Sequence, residues 1–192
     1  MAETGLRERS KARRREAIIR AAYQLFAERG YDATTVADIA EAAEVSPRTV
    51  AMYFPAKQDI ALSRFSDGVA GLTDAIRNRR PGERVHDAFG RWLLTSQTAP
   101  EERELHHLAR RMFAANPDLG ALRTARMADA VREGAALIAA DTGTTPDAIA
   151  PRIAAAAAAA IAMEIIDTEP GEEREQAVAA AMRFLDGGTA AL

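Results

Sequence analysis

The chain has 192 residues and carries 25 Lys and Arg against 28 Asp and Glu, a formal net charge of −3. Its length allows one small and one larger domain, each with a core. The absence of cysteine excludes disulfides and thiolate-bound zinc. The charged first residues argue against a secretory signal, and the longest apolar run, Ile153–Met163, is shorter than the ~18–20 residues of a membrane span. We therefore expect a soluble, cytoplasmic protein without membrane contact.

A basic run precedes the first predicted helix. It consists of Arg7, Arg9, Lys11, Arg13, Arg14 and Arg15. The helix that follows has apolar residues at helical spacing, namely Ile18, Ala21, Ala22, Leu25 and Phe26. Gly30 can take the left-handed conformation that ends it, and Tyr31 is placed to pack on Phe26 as the apolar contact of a Schellman motif.

Two further helices follow with the spacing of a helix-turn-helix. The first has its buried stripe at Val36, Ile39, Ala40 and Ala43. Thr35 can cap it in a capping box with Asp38. After a turn at Glu44 and Val45, Ser46 can cap the second helix, in which Pro47 takes the first position.

The second helix of this pair has one inward and one outward face. Val50 and Phe54 are four residues apart, so both face back onto the preceding helix. The residues left pointing outward are Pro47, Arg48, Thr49, Met52 and Tyr53. Helices of this kind insert their N-terminal end into a major groove of DNA.

Charge is unevenly distributed along the chain. Residues 1–57 carry 10 Lys and Arg and 8 Asp and Glu, a net of +2, whereas residues 58–192 carry 15 and 20, a net of −5. An acidic body with a basic end is steered toward DNA by that end. Basic tails are commonly only solvated, but here the run leads into the helix-turn-helix, so Arg13 and Arg14 are candidates for phosphate contacts.

Residues 10–62 resemble the DNA-binding domain of the TetR family of bacterial transcription regulators. The resemblance runs without a gap through REAIIRAAYQLFAERGYDATTVADIAEAAEVSPRTVAMYFPAKQDI. It implies that Thr35 contacts a phosphate and that Tyr53 and Lys57 hold the DNA backbone. It also implies that the start of the third helix reads bases, through Pro47, Arg48 and Thr49 with Ser46 as cap.

Three positions depart from the family pattern. Glu44 stands where glycine is usual, which predicts a positive φ at a non-glycine residue, at a cost of about 1 kcal/mol. Ala51 replaces a tyrosine that would donate to phosphate. Arg48 replaces a small residue and can contact guanine O6 and N7, worth ~1–3 kcal/mol of discrimination. The alternative is that Arg48 contacts phosphate only.

No strand pattern appears downstream, so we expect an all-α protein of about nine helices. Further helices are predicted over Lys57–Arg79, Glu83–Gln97, a segment ending at Ala115, Pro117–Asp141, Pro146–Asp167 and a last segment ending near Leu185, before Gly187-Gly188. The predicted domains are residues 1–56, a helix-turn-helix DNA-binding domain, and residues 57–192, a helical ligand-binding and dimerisation domain.

The resemblance implies a small-molecule pocket in the larger domain. Large side chains concentrate in two of its predicted helices, and the candidates for ligand binding are Phe89, Trp92, Leu93, His106, Arg110 and Phe113. Such residues at helical spacing also form ordinary cores, so plain core packing remains the alternative. The effector itself is not identified by the sequence.

The penultimate helix contains seven consecutive alanines, residues 154–160. Small side chains let another helix approach closely, which suits a two-fold dimer seam, and the resemblance implies that the last two helices form one. The candidates are Ile153, Ala157, Ile161 and Phe184. The alternative is that the alanines face their own core. Glu164 is either a buried polar anchor or a solvent-facing residue.

A metal site is the main alternative chemistry. Glu83-x-x-His86 and Glu104-x-x-His107 match the Glu-x-x-His element of di-iron bundles. In a helix hairpin turning near Ala99 the two pairs would lie ~9 Å apart along the axis, which a shared cluster does not allow. No nucleophile elbow or Gly-rich phosphate loop is present. We therefore expect no metal, no cofactor and no enzymatic activity.

The sequence as a whole predicts a homodimeric transcriptional regulator of bacterial cytoplasm, associated with the nucleoid through DNA. The expected partners are a palindromic duplex operator and an unknown small-molecule effector. Repression with release on effector binding is the favoured mode. The alternatives are an activator of the same family, or a helical small-molecule- or metal-binding protein without DNA activity.

Overall fold

The computed structural model describes residues 2–96, 100–166, 168 and 171–189, and every regular element in those ranges is an α-helix. In chain order the helices are α1 (Ala2–Arg29), α2 (Val36–Ala42), α3 (Pro47–Tyr53), α4 (Lys57–Ala61), α5 (Ser63–Arg77), α6 (Val85–Thr95), α7 (Pro100–Ala115), α8 (Asp118–Thr142), α9 (Ile149–Ile166) and α10 (Glu172–Thr189). The prediction of an all-α fold with an N-terminal helix-turn-helix is confirmed. No helix within the described ranges combines the length and apolarity that a bilayer span requires.

The chain forms two compact units. The first comprises Met1–Ser66 with Pro100–Arg123, and the second comprises Asp67–Ala99 with Thr124–Leu192. The first unit includes α7 because Leu105, Ala109 and Met112 are buried in the same apolar cluster as α1. The predicted division between residues 56 and 57 stays a prediction. Helical periodicity in the sequence does not indicate which distant helix packs on α1, so the contact with α7 could not be predicted.

The core of the first unit fixes the helix-turn-helix. The side chains that α1 contributes are fully or almost fully buried, and they are Ile18, Ile19, Ala22, Tyr23, Leu25 and Phe26. Ile39 from α2, Val50 from α3 and Ile60 from α4 complete this cluster. Because each short helix inserts at least one buried apolar residue, α2, α3 and α4 are held by packing rather than by their own length.

The end of α1 differs in detail from the predicted Schellman motif. Gly30 has φ +90°, its N–H donates to the Phe26 carbonyl at 3.2 Å, and the rings of Phe26 and Tyr31 are 5.0 Å apart. The Tyr31 N–H, however, donates to Oδ1 of Asn116 at 2.6 Å. The turn is therefore the simpler αL motif, because a side chain from α7's end takes the second donor.

Three predicted helix limits are wrong. The segment predicted over 57–79 is divided at Leu62 into α4 and α5, where the Tyr23 hydroxyl lies 3.1 Å from Ser63 Oγ and accepts from the Arg64 N–H at 3.1 Å. The basic run is part of α1 rather than a tail before it. The last helix passes through Gly187 instead of ending near Leu185, since an isolated pair of glycines weakens a helix without forbidding it.

The second unit is built around α6, α9 and α10. Its main cluster consists of Phe89, Leu93, Ile165, Val178 and Leu185. Gly90 permits the close contact between α6 and α10, because a Cβ there would lie 2.8 Å from the Met182 sulfur. A smaller cluster of Ile76, Val85 and Ala88 packs with Leu72, Leu137 and Ile138, which joins α5, α6 and α8.

Candidate functional site

The capping box at the start of α2 forms as predicted. The Asp38 N–H donates to Thr35 Oγ1 at 3.1 Å, and the Thr35 N–H donates to Asp38 Oδ2 at 2.7 Å. The Thr35 hydroxyl also donates to Asp38 Oδ2 at 2.7 Å. The bond from the Thr35 hydroxyl, and then the bond from the Thr35 N–H, hold the pKa of Asp38 below its ordinary value. The Thr35 side chain is exposed, so its predicted phosphate contact requires the hydroxyl to turn away from Asp38.

The turn between α2 and α3 has the predicted strain. Glu44 has φ +53° and is the one non-glycine residue with positive φ in the described chain. The Val45 N–H donates to the Ala40 carbonyl at 2.9 Å, which closes the turn over the end of α2. Glu44 therefore takes the conformation that glycine adopts more cheaply, and the turn keeps the tight form that α3 needs.

The start of α3 is held by its cap. The Thr49 N–H donates to Ser46 Oγ at 3.1 Å, and Pro47 occupies the first turn. Behind the helix, Val50 is 1% and Phe54 6% exposed. The N-terminal end of α3 is therefore fixed on its inner side by apolar packing and at its start by a side-chain cap.

The outward face of α3 is confirmed for three of the five predicted residues. Pro47 and Arg48 are exposed, and Met52 is 70% exposed. Thr49 and Tyr53 are half-buried, and Tyr53 packs against the core cluster. Ala51 is exposed beside Met52, so the face presents one guanidinium next to a short apolar surface.

Lys57 has an internal role that the sequence did not indicate. Its Nζ donates to the carbonyls of Tyr31 at 2.7 Å and Thr34 at 2.9 Å, and it lies 4.1 Å from the Tyr31 ring centroid. These contacts tie the start of α4 to the connection between α1 and α2. The pKa of the Tyr31 hydroxyl is raised, first by burial of its side chain and then by the negative charges of Asp32 and Asp59. Two of the three ammonium protons are thus used internally, and the predicted phosphate contact would use the third.

The basic run is presented on a helix, so its residues face different directions. The Arg15 guanidinium lies over the Phe54 ring at 5.4 Å from the centroid, which places this side of α1 against the end of α3. Arg13 and Arg14 are both exposed. Since residues two apart on a helix do not share a face, Arg13 points away from the side that Arg15 occupies.

Family models match both parts of the chain. The model described as "Bacterial regulatory proteins, tetR family" matches residues 18–63, the segment that contains the helix-turn-helix. The model described as "MftR C-terminal domain" matches residues 83–190. The chain belongs to the TetR family. This confirms the resemblance seen in residues 10–62.

Curated relatives of this TetR-family chain match only part of their own length. It is 43% identical over 79 residues to the HTH-type transcriptional regulator TcmR of Streptomyces glaucescens, which covers 41% of this chain and 35% of TcmR. It is 33% identical over 101 residues to MftR of Mycobacterium tuberculosis, which covers 52% of this chain and 51% of MftR. The chain thus matches about a third of one relative and half of the other.

Solved structures share the fold over nearly the whole chain. Salmonella enterica GusR has a TM-score of 0.63 at 20% identity, covering 92% of this chain and 95% of GusR. NalD of Pseudomonas aeruginosa, the secondary repressor of the MexAB-OprM multidrug efflux pump, has a TM-score of 0.56 at 20% identity, covering 91% and 96%. At these identities the likeness establishes the fold alone.

In this TetR-family chain the six predicted ligand residues are divided between the two units. Phe89 and Leu93 are buried in the main cluster of the second unit, and Trp92 packs half-buried against that cluster. His106, Arg110 and Phe113 belong to the first unit, where Phe113 packs beneath the Arg123 guanidinium at 4.8 Å. The structure therefore brings the α6 residues together with one another, and ligand binding by any of the six stays a prediction.

A cleft of about 480 Å³ in the second unit contains none of these six residues. Its lining comes from the connection between α5 and α6 and from the end of α8, namely Arg77, Arg79, Arg80, Pro81, Gly82, Glu83, Arg84 and Asp141. Arg79 Nη2 lies 2.5 Å from Asp141 Oδ1, and Arg77 Nη2 lies 2.7 Å from Glu133 Oε1. These ion pairs make it a salt-bridged surface rather than an apolar ligand pocket.

The predicted dimer residues fall on two faces of the TetR-family C-terminal helices. Ile153 is 56% and Phe184 67% exposed, whereas Ala157 and Ile161 pack against the cluster of their own unit. The exposed stripe of α9 is formed by Ile149, Arg152, Ile153, Ala156, Ala160 and Glu164. The alanine run therefore has one side that packs in its own unit and one exposed side, the dimer seam stays a prediction, and Glu164 is solvent-facing.

The two Glu-x-x-His pairs have other partners. Arg91 donates to both Glu83 carboxylate oxygens at 3.0 and 3.1 Å, and this pairing is the main cause that lowers the pKa of Glu83. His86 Nε2 lies 2.7 Å from Asp186 Oδ1, and Glu104 Oε2 lies 2.6 Å from Arg20 Nη1. Among the described residues, no three His, Asp or Glu side chains are grouped for a metal.

Proposed function

We propose that this TetR-family protein is a transcriptional repressor that binds a palindromic duplex operator as a homodimer and releases it when a small effector binds. The observation that supports DNA binding best is the N-terminal end of α3. Pro47 and Arg48 are exposed there, while Val50 and Phe54 are buried behind them. A rigid helix end with exposed polar side chains is the form that enters a major groove.

Base recognition is assigned to Arg48 and the residues beside it. A guanidinium at this end of α3 can donate to O6 and N7 of one guanine in each half-site, worth ~1–3 kcal/mol against another base. Met52, at 70% exposure, offers an apolar contact for a thymine methyl on the same face. Thr35, Tyr53 and Lys57 keep their predicted role as backbone contacts beside the groove.

Dimer formation is assigned to the exposed stripe of α9 with Phe184. Ile149 is 67%, Ile153 56% and Phe184 67% exposed, and large apolar side chains exposed together are characteristic of an interface. Ala156 and Ala160 lie on the same α9 stripe and would allow two copies of α9 to approach closely. A two-fold dimer would present two α3 helices to half-sites about one helical turn apart or slightly more.

Effector binding is assigned to the apolar cluster of the second unit. Phe89, Trp92 and Leu93 provide aromatic and aliphatic surface there, which suits an uncharged or largely apolar small molecule. A coupling of ~1–3 kcal/mol between the effector site and α3, about 5–150-fold in affinity, is sufficient for release. The protein would act in the bacterial cytoplasm, at the nucleoid. Activation instead of repression is the alternative within the same family.

The test is selection of binding sites from a library of random duplexes. We expect enriched duplexes to contain an inverted repeat with a guanine in each half-site, bound by a dimer as measured by light scattering of the complex. Affinity should fall by about 10³–10⁵ between 50 and 200 mM salt if ~6–10 phosphates are neutralised. Failure to enrich any sequence over the starting library would contradict the proposal and favour a helical binding protein without DNA activity.

A further inference from the structure

The N-terminal half of α1 extends beyond the core that the rest of the helix helps to build. The helix is continuous over Ala2–Arg29, and from residue 7 onward, where its side chains are described, its first core residue is Ile18. Arg7 precedes Ile18 by eleven positions, which corresponds to about 16 Å along the helix axis. The basic run is therefore carried on a helical projection whose direction is set by the same helix that packs against α2 and α4.

The basic residues lie on different faces of α1. Arg15 contacts the Phe54 ring at the end of α3, which identifies the side of α1 that faces the helix-turn-helix. Lys11 is one turn before Arg15 and Arg7 two turns before it, so at 100° per residue Arg7, Lys11, Arg14 and Arg15 span about 100° of the circumference. Arg9 and Arg13 lie about 150–170° from the centre of that span.

The same face continues the line of buried residues. Ile18 and Ala22, both fully buried in the cluster with Ile39 and Val50, follow Lys11 at seven and eleven positions. Among the described side chains of this face, four are basic and Glu8 is the acidic one at its border. Lys11 and Arg14 are exposed. The face therefore presents concentrated positive charge on the side of α1 that Arg15 turns toward the C-terminal end of α3.

We infer that Arg7, Lys11 and Arg14 form a ridge that binds the phosphate backbone beside the groove entered by α3, and that Arg9 and Arg13 take no part. Of the two phosphate contacts expected from the sequence, the ridge thus keeps Arg14 and replaces Arg13. This inference rests on the proposed function. Arg7 and Lys11 are about 6 Å apart along the helix axis and Lys11 and Arg14 about 4.5 Å apart, and one DNA strand offers a phosphate every ~3.4 Å of its own axis. Phosphate carries no sequence information, so the ridge extends the contacted backbone without adding base preference.

Two double variants with equal charge change test the ridge. Lys11→Ala with Arg14→Ala removes two cations from it, and Arg9→Ala with Arg13→Ala removes two from the opposite face. Alanine is the best helix former, so both variants should keep α1 helical. Each is titrated against a duplex selected by the wild type and against an unrelated duplex, over a range of KCl concentrations.

The ridge variant should lose about 3.6 from the magnitude of the salt slope, since each phosphate contact contributes about 0.9 and the dimer loses about four of them, two from each subunit. At 100 mM KCl this corresponds to a loss of affinity of about 4,000-fold, equal on both duplexes. The opposite-face variant should stay within about threefold of the wild type, as expected for exposed charges screened over a Debye length of about 10 Å.

Equal losses in the two variants would overturn the inference, because they would mean that the run acts as a diffuse charge. A loss that depends on the base sequence flanking the half-sites would also overturn it, since that indicates groove reading. If the wild type prefers no duplex, the proposed function fails; if it keeps its preference while the two variants behave alike, only the ridge fails. Circular dichroism and light scattering confirm that both variants remain folded and associated as the wild type is.

Discussion

Replacing Asn116 by alanine should lower the free energy of unfolding by about 2–3 kcal/mol. Asn116 follows α7, and its Nδ2 donates to the carbonyls of Phe26 at 2.8 Å and Met112 at 2.7 Å. Its Oδ1 accepts the Tyr31 N–H at 2.6 Å. One side chain thereby joins the end of α7 to the end of α1.

The expected loss in the free energy of unfolding depends on which polar groups lose a hydrogen-bond partner. In Asn116→Ala the Phe26 carbonyl still accepts the Gly30 N–H at 3.2 Å, so it stays satisfied. The Tyr31 N–H and the Met112 carbonyl lose their side-chain partner in part-buried surroundings. Each unsatisfied group costs ~1–3 kcal/mol when fully buried, and partial burial places each near the lower limit.

Equilibrium unfolding in urea measures this effect. Asn78→Ala is the matched control, because Asn78 is exposed after the end of α5; we expect a change within about 0.5 kcal/mol, as for ordinary surface substitutions. Asn116→Asp should be at least as destabilised as Asn116→Ala, since a carboxylate faces two carbonyls at helix C-termini. An Asn116→Ala protein as stable as Asn78→Ala would refute the reasoning.

Three further predictions concern the seam, the cap and the base contacts. Ala156→Glu should convert the dimer to a monomer, as measured by light scattering, while Ala136→Glu, at an exposed site on α8, should remain a dimer. A dimeric Ala156→Glu protein would mean that the dimer interface lies elsewhere. Asp38 has a depressed pKa, so its stabilising effect over Asp38→Asn should be full above pH ~3.8 and vanish as pH falls through the lower folded value; a stability difference constant with pH would contradict this. Met52→Ala should bind the thymine half-site and the same half-site with uracil in place of thymine with equal affinity, whereas the wild type should bind the thymine form more tightly. The same ratio of the two affinities in both proteins would exclude the methyl contact.

Local features of the first unit were predictable from the sequence because each depends on neighbouring residues. The Thr35–Asp38 capping box, the Ser46 cap with Pro47, and the positive φ of Glu44 all involve residues within a few positions of one another. Cap and turn chemistry is encoded at fixed short spacings. The position of the helix-turn-helix and the outward side of α3 follow from the same short-range patterns.

The features that sequence reasoning missed depend on contacts between distant residues. Lys57 finds two carbonyls 23 and 26 positions away, and Asn116 reaches across 85 and 90 positions to Tyr31 and Phe26. Tyr23 reaches 40 positions to the start of α5. Periodicity reports which face is apolar but not which distant polar group will meet a free carbonyl or N–H.

The alanine helix illustrates the same limit in the second unit. Its composition made it apolar on nearly all sides, so no hydrophobic stripe could distinguish its inner from its outer face. The structure distinguishes them: Ala157 and Ile161 pack against the cluster that contains Phe89 and Leu93, and the neighbouring Ala156 is on the outer face. The placement of the substitution that tests the dimer depends on that difference.

The measurement that tests base reading by α3 most directly is the affinity of wild type and Arg48→Ala for every single-base variant of a selected half-site. The account predicts that the wild type prefers guanine at one position of the half-site by ~1–3 kcal/mol. Arg48→Ala should lose the guanine preference at that position and keep the wild-type base preferences at all other positions. A uniform weakening of Arg48→Ala across all variants, with each base preference unchanged, would contradict the central claim.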